Sequence, residues 1–444
     1  MIKNKKEMLV HFIGVGGVSM SALAKYCLSS GFSVSGSDRT SNERLLELEK
    51  LGAKIFVGHS ENNLDGVHVV VFSDAIDENN PELKKAKELG YYVLSRAELL
   101  NMIAENFGTV IGVAGCHGKT TVTSMLAHIF IKANVPFTAH VGGEDSVYGN
   151  FINRGHEVFL SEVCEFKKNL NRFTADIAVC LNTGKDHMDC YESEEELKNT
   201  YLDFIKRGYK SIIGVNDDVL NEYKGANKIG FSIYNESKFT AKNLKEERGV
   251  YSFDLFIKGK KITKIKLNVY GEHNVKNALA SIACAYEVGI PIRKIKAGLK
   301  SFKGVKRRYE QIGNINGCDV IADYAHHPTE ISACLKLAEE RCKGQLFVVF
   351  QPHTYSRTVF LKEEFIEVLN KVNNLSLFKT YSARENYMAG GGAKDLSDLL
   401  TSSAYFEDEK ELVETLKKKV RKNDLVLILG AGDLYDKIKA MLSR

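Results

Sequence analysis

The chain has 444 residues, 44% of them hydrophobic and 26% charged, which is ordinary for a globular protein and enough for about three domains. Its net charge of +5 is spread along the chain, not gathered in a basic arm, which argues against nucleic acid and leaves room for a small polyanionic substrate. No apolar run is long enough to span a membrane, the polar start Met1-Ile-Lys-Asn is no secretory signal, and nine scattered cysteines without a C-x-x-C fit a reducing cytoplasm.

In chain order, Leu9–Val15 reads as a strand, Ser19–Ser30 as a helix and Phe32–Ser37 as a second strand, a β-α-β opening. Val67–Phe72 and Tyr92–Leu94 continue the alternation. A second segment starts with the apolar strand Thr109–Ala114, feeds a glycine loop and enters a helix over Lys119–Ala133. Val158–Leu160, Ile177–Leu181 and Ser211–Val215 are further strands, and the lysine-rich alternation of Lys238–Val269 reads as antiparallel hairpins beside a parallel sheet. A third segment follows Arg307-Arg308-Tyr309, with strands at Val320–Ala322, Leu346–Phe350 and Leu425–Leu429.

Two strand-to-helix turns are rich in glycine. The first, Gly14-Val15-Gly16-Gly17-Val18-Ser19, is a G-x-G-x-x-G with serine last, and Asp38 ends the next strand. Backbone N–H groups at such a turn suit a pyrophosphate, in a dinucleotide or a nucleotide sugar, although a tight turn without ligand has the same pattern. The second, Gly115-Cys116-His117-Gly118-Lys119-Thr120, departs from the strict phosphate loop at Val113, where glycine is expected. It keeps the lysine that neutralises phosphate charge and the hydroxyl that can hold Mg²⁺.

Metal-binding oxygens are expected at strand ends near that loop. Glu162 and Glu165 follow Val158–Leu160, and Asp186-His187-Met188-Asp189 follows Ile177–Leu181; in a parallel sheet both emerge at the loop's own edge. A glutamate and a threonine suit Mg²⁺. His187 reads equally as a ligand or as a strand-end histidine bonded to backbone.

These residues resemble the Mur ligase family. The resemblance is carried by both glycine turns, Glu162-Val163-Cys164-Glu165, Asp186-His187, Gly271-Glu272-His273-Asn274 with Asn277, Arg307-Arg308-Tyr309-Glu310, Tyr324-Ala325-His326-His327-Pro328, and Gln351-Pro352-His353 with Arg357. His326-His327-Pro328 and Gln351-Pro352-His353 point to the branch that adds L-alanine. The resemblance implies three α/β domains: an N-terminal Rossmann-like UDP-sugar-binding domain (1–106), a central ATP-binding domain (107–310) and a C-terminal Rossmann-like ligase domain (311–444). The central domain is of the P-loop mononucleotide type, a parallel sheet with a small antiparallel one.

The family also implies roles. Gly14, Gly16, Gly17 and Asp38 would hold the sugar nucleotide, and Gly115, Gly118, Lys119, Thr120 and Thr121 the phosphates of ATP. Thr120, Glu162 and His187 would hold Mg²⁺, Asn274 and Asn277 would face adenine, and Arg308 and Asp323 would reach ATP. Lys119, Glu162, His187, His353 and Arg357 would serve catalysis, the last two at the amino acid and the transferring phosphate. The implied reaction joins L-alanine to the carboxylate of UDP-N-acetylmuramate, without nucleic-acid or membrane partners; oligomeric state is not legible.

The sequence departs from the family at Cys116, usually threonine, at Cys164 and Lys167 in a stretch otherwise acidic and serine-rich, and at Thr354, where many members have arginine. A family relative that adds a whole peptide to the same sugar nucleotide is the nearest rival. Folylpolyglutamate synthase lacks the first glycine turn, and an NAD-dependent oxidoreductase would leave Lys119 and Glu162 idle.

Overall fold

In this computed structural model, which describes residues 5–184, 190–383 and 385–443, the predicted alternation becomes three sheets. The first contains β1 (Leu9–Ile13), β2 (Ser33–Asp38), β3 (Lys54–Val57), β4 (Val69–Phe72) and β5 (Tyr92–Ser95) in the order β3-β2-β1-β4-β5. Its pairs are parallel. The chain winds outward from β1 on one side and returns to its other side with β4, so the end of β1 is a topological switch point, where ligands of such sheets bind. The Gly14–Gly17 turn occupies that end and leads into α1 (Val18–Ser29).

The second sheet repeats the device. It comprises β6 (Thr109–Ala114), β7 (Phe137–Asp145), β8 (Gly149–Asn153), β9 (Val158–Glu162), β10 (Ile177–Cys180), β11 (Lys210–Gly214), β12 (Lys228–Ser232), β13 (Phe239–Glu247), β14 (Val250–Ile257) and β15 (Lys260–Tyr270). Their order is β15-β14-β13-β12-β11-β10-β6-β9-β7-β8. β6 lies between β9 and β10, parallel to both, with Val113 opposite Glu162 and Ala114 opposite Cys180. The glycine loop after β6 therefore shares one sheet edge with Glu162.

The hairpins predicted over Lys238–Val269 turn at Arg248-Gly249 and Lys258-Gly259, four residues with positive φ, as two-residue antiparallel connections require. They do not stand apart: β13 pairs in parallel with β12, Phe231 opposite Phe239, and extends the same sheet. The reason is burial at period two. Phe253, Leu255 and Ile257 on β14 and Ile265, Leu267 and Val269 on β15 join the core around Met125, Ile129 and Phe130 of the helix Lys119–Ala133.

The third sheet holds β16 (Glu310–Ile315), β17 (Cys318–Asp323), β18 (Leu346–Phe350), β19 (Asn374–Phe378), β20 (Ala404–Phe406) and β21 (Leu425–Leu429), in the order β16-β17-β21-β18-β19-β20. It is parallel except for β16 against β17. The chain divides into two compact units, Met1–Lys245 with Tyr251–Val305, and Lys306–Arg444 with Glu246–Val250. The first holds the first two sheets apart from the Glu246–Val250 hairpin tip, the second the third sheet. Among the described residues, no helix is long and apolar enough to cross a membrane.

Candidate active site

The loop after β6 is bent by two glycines in the left-handed region, Gly115 (φ +137°) and Gly118 (φ +90°), a conformation costly for other residues. Gly118 caps the helix Lys119–Ala133 with no side-chain hydrogen bond, so the first-turn N–H groups, which include half-buried Thr121, are open to an anion. Asn182, just beyond β10, braces the loop: its carbonyl accepts from Cys116 N–H (3.3 Å), its side chain accepts from His117 N–H (2.9 Å) and donates to His117 O (3.0 Å). Asn277 packs so closely on Gly118 that any Cβ there would collide with it. It donates to Asn274 Oδ1 at 2.9 Å, and Asn274 donates to Tyr270 O at 2.7 Å. The two asparagines expected at adenine thus form one buried network against the phosphate loop.

Lys119 Nζ donates to Gly115 O (2.5 Å) and pairs with Glu165 Oε2 at 2.9 Å, the glutamate side chain being fully buried. Burial alone would lower the lysine's pKa, but the carboxylates of Glu165 and Glu162 outweigh it and hold the ammonium above the usual lysine range. Thr120 Oγ1 donates to Glu162 Oε2 at 2.6 Å. This hydroxyl and carboxylate form an oxygen pair at a sheet edge, a donor set that fits Mg²⁺, which takes few protein ligands and keeps several waters. His187 lies outside the described residues, and among those described no group of three or more His, Cys, Asp or Glu gathers as a metal site.

At the first turn, Gly14 has φ +81°, and the N–H groups of Gly14 and Val15 donate to Ser37 O. Gly16 N–H donates to Asp38 Oδ2 at 2.9 Å, and a Cβ on Gly16 would collide with Asp38 and Asn42. Asp38, expected at the substrate, also braces the turn and takes up the donor of Gly16. What remains open is the start of α1, where Gly17 supplies no side-chain cap.

In the second unit, Asp323 at the end of β17 is buried and accepts from Tyr309 N–H (2.7 Å) and Ala325 N–H (2.8 Å). Burial raises its carboxyl pKa against the pull of Arg308. Arg308 lies over the Tyr324 ring, 5.3 Å from its centre. Arg357 Nη1 donates to His353 Nδ1 at 3.3 Å, and the His353 ring stacks on Tyr381. Burial, with His326 and Arg357 beside it, pushes His353 down to about 3, so it is neutral at ordinary pH. Thr354 holds φ +66°, a strained value for a β-branched residue.

Residues 9–108 match the Mur ligase family catalytic domain, residues 113–285 the Mur ligase middle domain and residues 307–432 the Mur ligase glutamate ligase domain. The chain belongs to the Mur ligase family. This Mur ligase is 40% identical over 439 residues to the UDP-N-acetylmuramate--L-alanine ligase of Acetivibrio thermocellus, covering 96% of this chain and 94% of that protein. The ligase of the same name from Clostridium beijerinckii is 38% identical, with 97% and 96% covered. Among solved structures, the UDP-N-acetylmuramate-alanine ligase of Thermotoga maritima superposes with a TM-score of 0.85 at 26% identity, covering 98% of each chain. A murein peptide ligase from Psychrobacter arcticus, at 21% identity and a TM-score of 0.77 over 98% of each chain, shares the fold. The first turn falls in the first matched segment, the phosphate loop and Glu162 in the second, and Arg308, Asp323, His353 and Arg357 in the third.

Proposed function

We propose that this Mur ligase joins L-alanine to the carboxylate of UDP-N-acetylmuramate with hydrolysis of ATP, in the cytoplasm, as a step of peptidoglycan precursor synthesis. The observation that carries the reading is the Lys119 and Thr120–Glu162 arrangement at a switch-point loop, within a chain alike over its length to ligases named for that reaction. The γ-phosphoryl group passes to the muramoyl carboxylate, giving an acyl phosphate and ADP; the amine of alanine then attacks the acyl carbon and phosphate leaves. Both steps gather negative charge, and Lys119 with the open N–H groups of Gly118, Lys119, Thr120 and Thr121 offers fixed donors to it. Thr120, Glu162 and His187 would hold Mg²⁺, which supplies further charge neutralisation when bound.

In this reading residues 1–106 take the sugar nucleotide through Gly14, Gly16, Gly17 and the start of α1, with Asp38 holding the turn. Residues 107–310 take ATP through Gly115 to Thr121, with Asn274 and Asn277 at the adenine side. From 311–444, together with Arg308, come the groups for the phosphate and amino acid, Asp323, His353 and Arg357. Phosphate release from Mg-ATP with UDP-N-acetylmuramate should require L-alanine. Turnover with a peptide and not with L-alanine would assign the chain to the peptide-adding reaction, and turnover with neither would overturn the reading.

A further inference from the structure

Strand β7 touches the surroundings of both glycine turns. Its Gly142 packs on the Glu162 carboxylate and its Gly143 on the Thr120 methyl, where any Cβ would collide. It also carries two ties to the first turn. Ser19, in the opening turn of α1, places its hydroxyl 2.8 Å from His140 Nε2, and His140 Nδ1 lies 3.1 Å from Ser161 Oγ. Ser161 Oγ donates to the Glu162 carbonyl at 2.9 Å. Because that hydroxyl proton is committed, Ser161 accepts from Nδ1–H, and Nε2 is left to accept from Ser19. The chain of bonds thus has one direction, from Ser19 through His140 and Ser161 to the Glu162 main chain. Four positions along β7, Glu144 accepts from Arg44 Nη1 at 2.9 Å, while Arg44 Nε donates to Gly16 O at 2.7 Å.

His140 is 4% exposed. A buried imidazole needs partners at both nitrogens, and because these two partners lie on different elements, the bonds also fix those elements at a set spacing. Phosphoryl transfer has that requirement. The sugar nucleotide is anchored at its diphosphate, yet its distant carboxylate must meet the γ-phosphorus at about 3–3.5 Å, and an error of about 1 Å can cost about 100-fold.

We propose that His140 is a positioning residue for phosphoryl transfer: through Ser19 and Ser161 it fixes the start of α1, where the diphosphate is to rest, relative to Glu162 beside the phosphate loop. The inference rests on the function proposed above. In the full reaction with Mg-ATP, UDP-N-acetylmuramate and L-alanine, Ser19→Ala, Ser161→Ala and His140→Phe are each expected to lower kcat about tenfold or more while the KM for ATP moves less than about twofold. The Ser19→Ala/His140→Phe double variant should be no slower than His140→Phe, because both break one chain. His140→Gln, whose amide can accept from Ser19 and donate to Ser161, should recover most of the loss. If His140→Phe fails to fold, Ser19→Ala with Ser161→Ala supplies the same cycle. An unchanged kcat in Ser19→Ala, additive losses in the cycle, or a rise in ATP KM alone would overturn the positioning role with the function intact. A wild type without UDP-N-acetylmuramate-dependent turnover overturns the functional reading, and this inference with it.

Discussion

Cys116 shows how one residue reads differently in sequence and in space. Next to His117 and Lys119 at a helix start, its thiol is expected to be activated by both. The structure keeps the imidazole near, with Sγ 3.5 Å from His117 Nε2, but turns the lysine ammonium toward the Gly115 and Cys116 carbonyls and Glu165. Four other cysteines, Cys164, Cys190, Cys334 and Cys342, are partly accessible, and burial raises the thiols of Cys164, Cys334 and Cys342, Cys164 to about 12. A maleimide should therefore modify Cys116 ahead of these three and inactivate the enzyme, Mg-ATP should protect, and Cys116→Thr should stay active and resist. Mass spectrometry that finds any of the three labelled first would refute this. The lysine's new partner gives a second expectation: Glu165→Ala leaves a nearly buried ammonium without its counter-ion, and should lower the unfolding free energy by about 3 kcal/mol. A urea midpoint equal to wild type would show that Lys119 finds another partner at no cost.

At the scale of elements, the helix Pro81–Glu88 tests how a buried carboxylate supports the first sheet. Asn80 caps this helix, and fully buried Glu82 accepts from the Ser37 hydroxyl at 2.6 Å and from Asn63 at 2.5 Å. Burial by itself would raise Glu82, but the His11 imidazole 3.6 Å away and the hydrogen bonds from Ser37 and Asn63 outweigh it and hold it at about 2. A carboxyl depressed on folding contributes stability that is full above its unfolded value, near 4.5, and lost as pH falls toward 2. That contribution is about 3 kcal/mol, so Glu82→Gln should flatten this part of the acid-unfolding curve followed by circular dichroism. A curve that keeps the wild-type slope would place the acid sensitivity elsewhere.

The strands that were legible, such as Thr109–Ala114 and Leu425–Leu429, are continuous apolar runs buried on both faces. β3, half-exposed at a sheet edge, and β8, with alternating burial, carry no such run. The glycine loop and Glu162 were legible because strand ends of a parallel sheet converge. Asn182 and His140 were not, because their contacts depend on which strands become neighbours: Asn182 on β10 lying beside β6, and His140 on α1 packing against β7.

At the scale of the whole molecule, the proposed sugar-nucleotide turn, the phosphate loop and the amino-acid residues are each carried by a different sheet, so substitutions should separate the half-reactions. Glu162→Gln removes the carboxylate but keeps the carbonyl that accepts from Ser161. It should abolish ligation at ordinary Mg²⁺ while UDP-N-acetylmuramate still binds by calorimetry, and near-normal turnover would remove Glu162 from the metal site. Arg357→Ala should do the converse for alanine. Its guanidinium is steadied by an imidazole that stays neutral well below physiological pH, so the contact does not titrate over the working range, and the cation remains available to a carboxylate or phosphate. The expected outcome is an apparent KM for L-alanine raised about tenfold or more, with sugar-nucleotide affinity unchanged and the same ratio of variant to wild-type KM from pH 6.5 to 8.5. If varied alanine gives wild-type KM and kcat, the amino acid is held elsewhere, and the Arg357–His353 pair is an internal brace of the third sheet's unit.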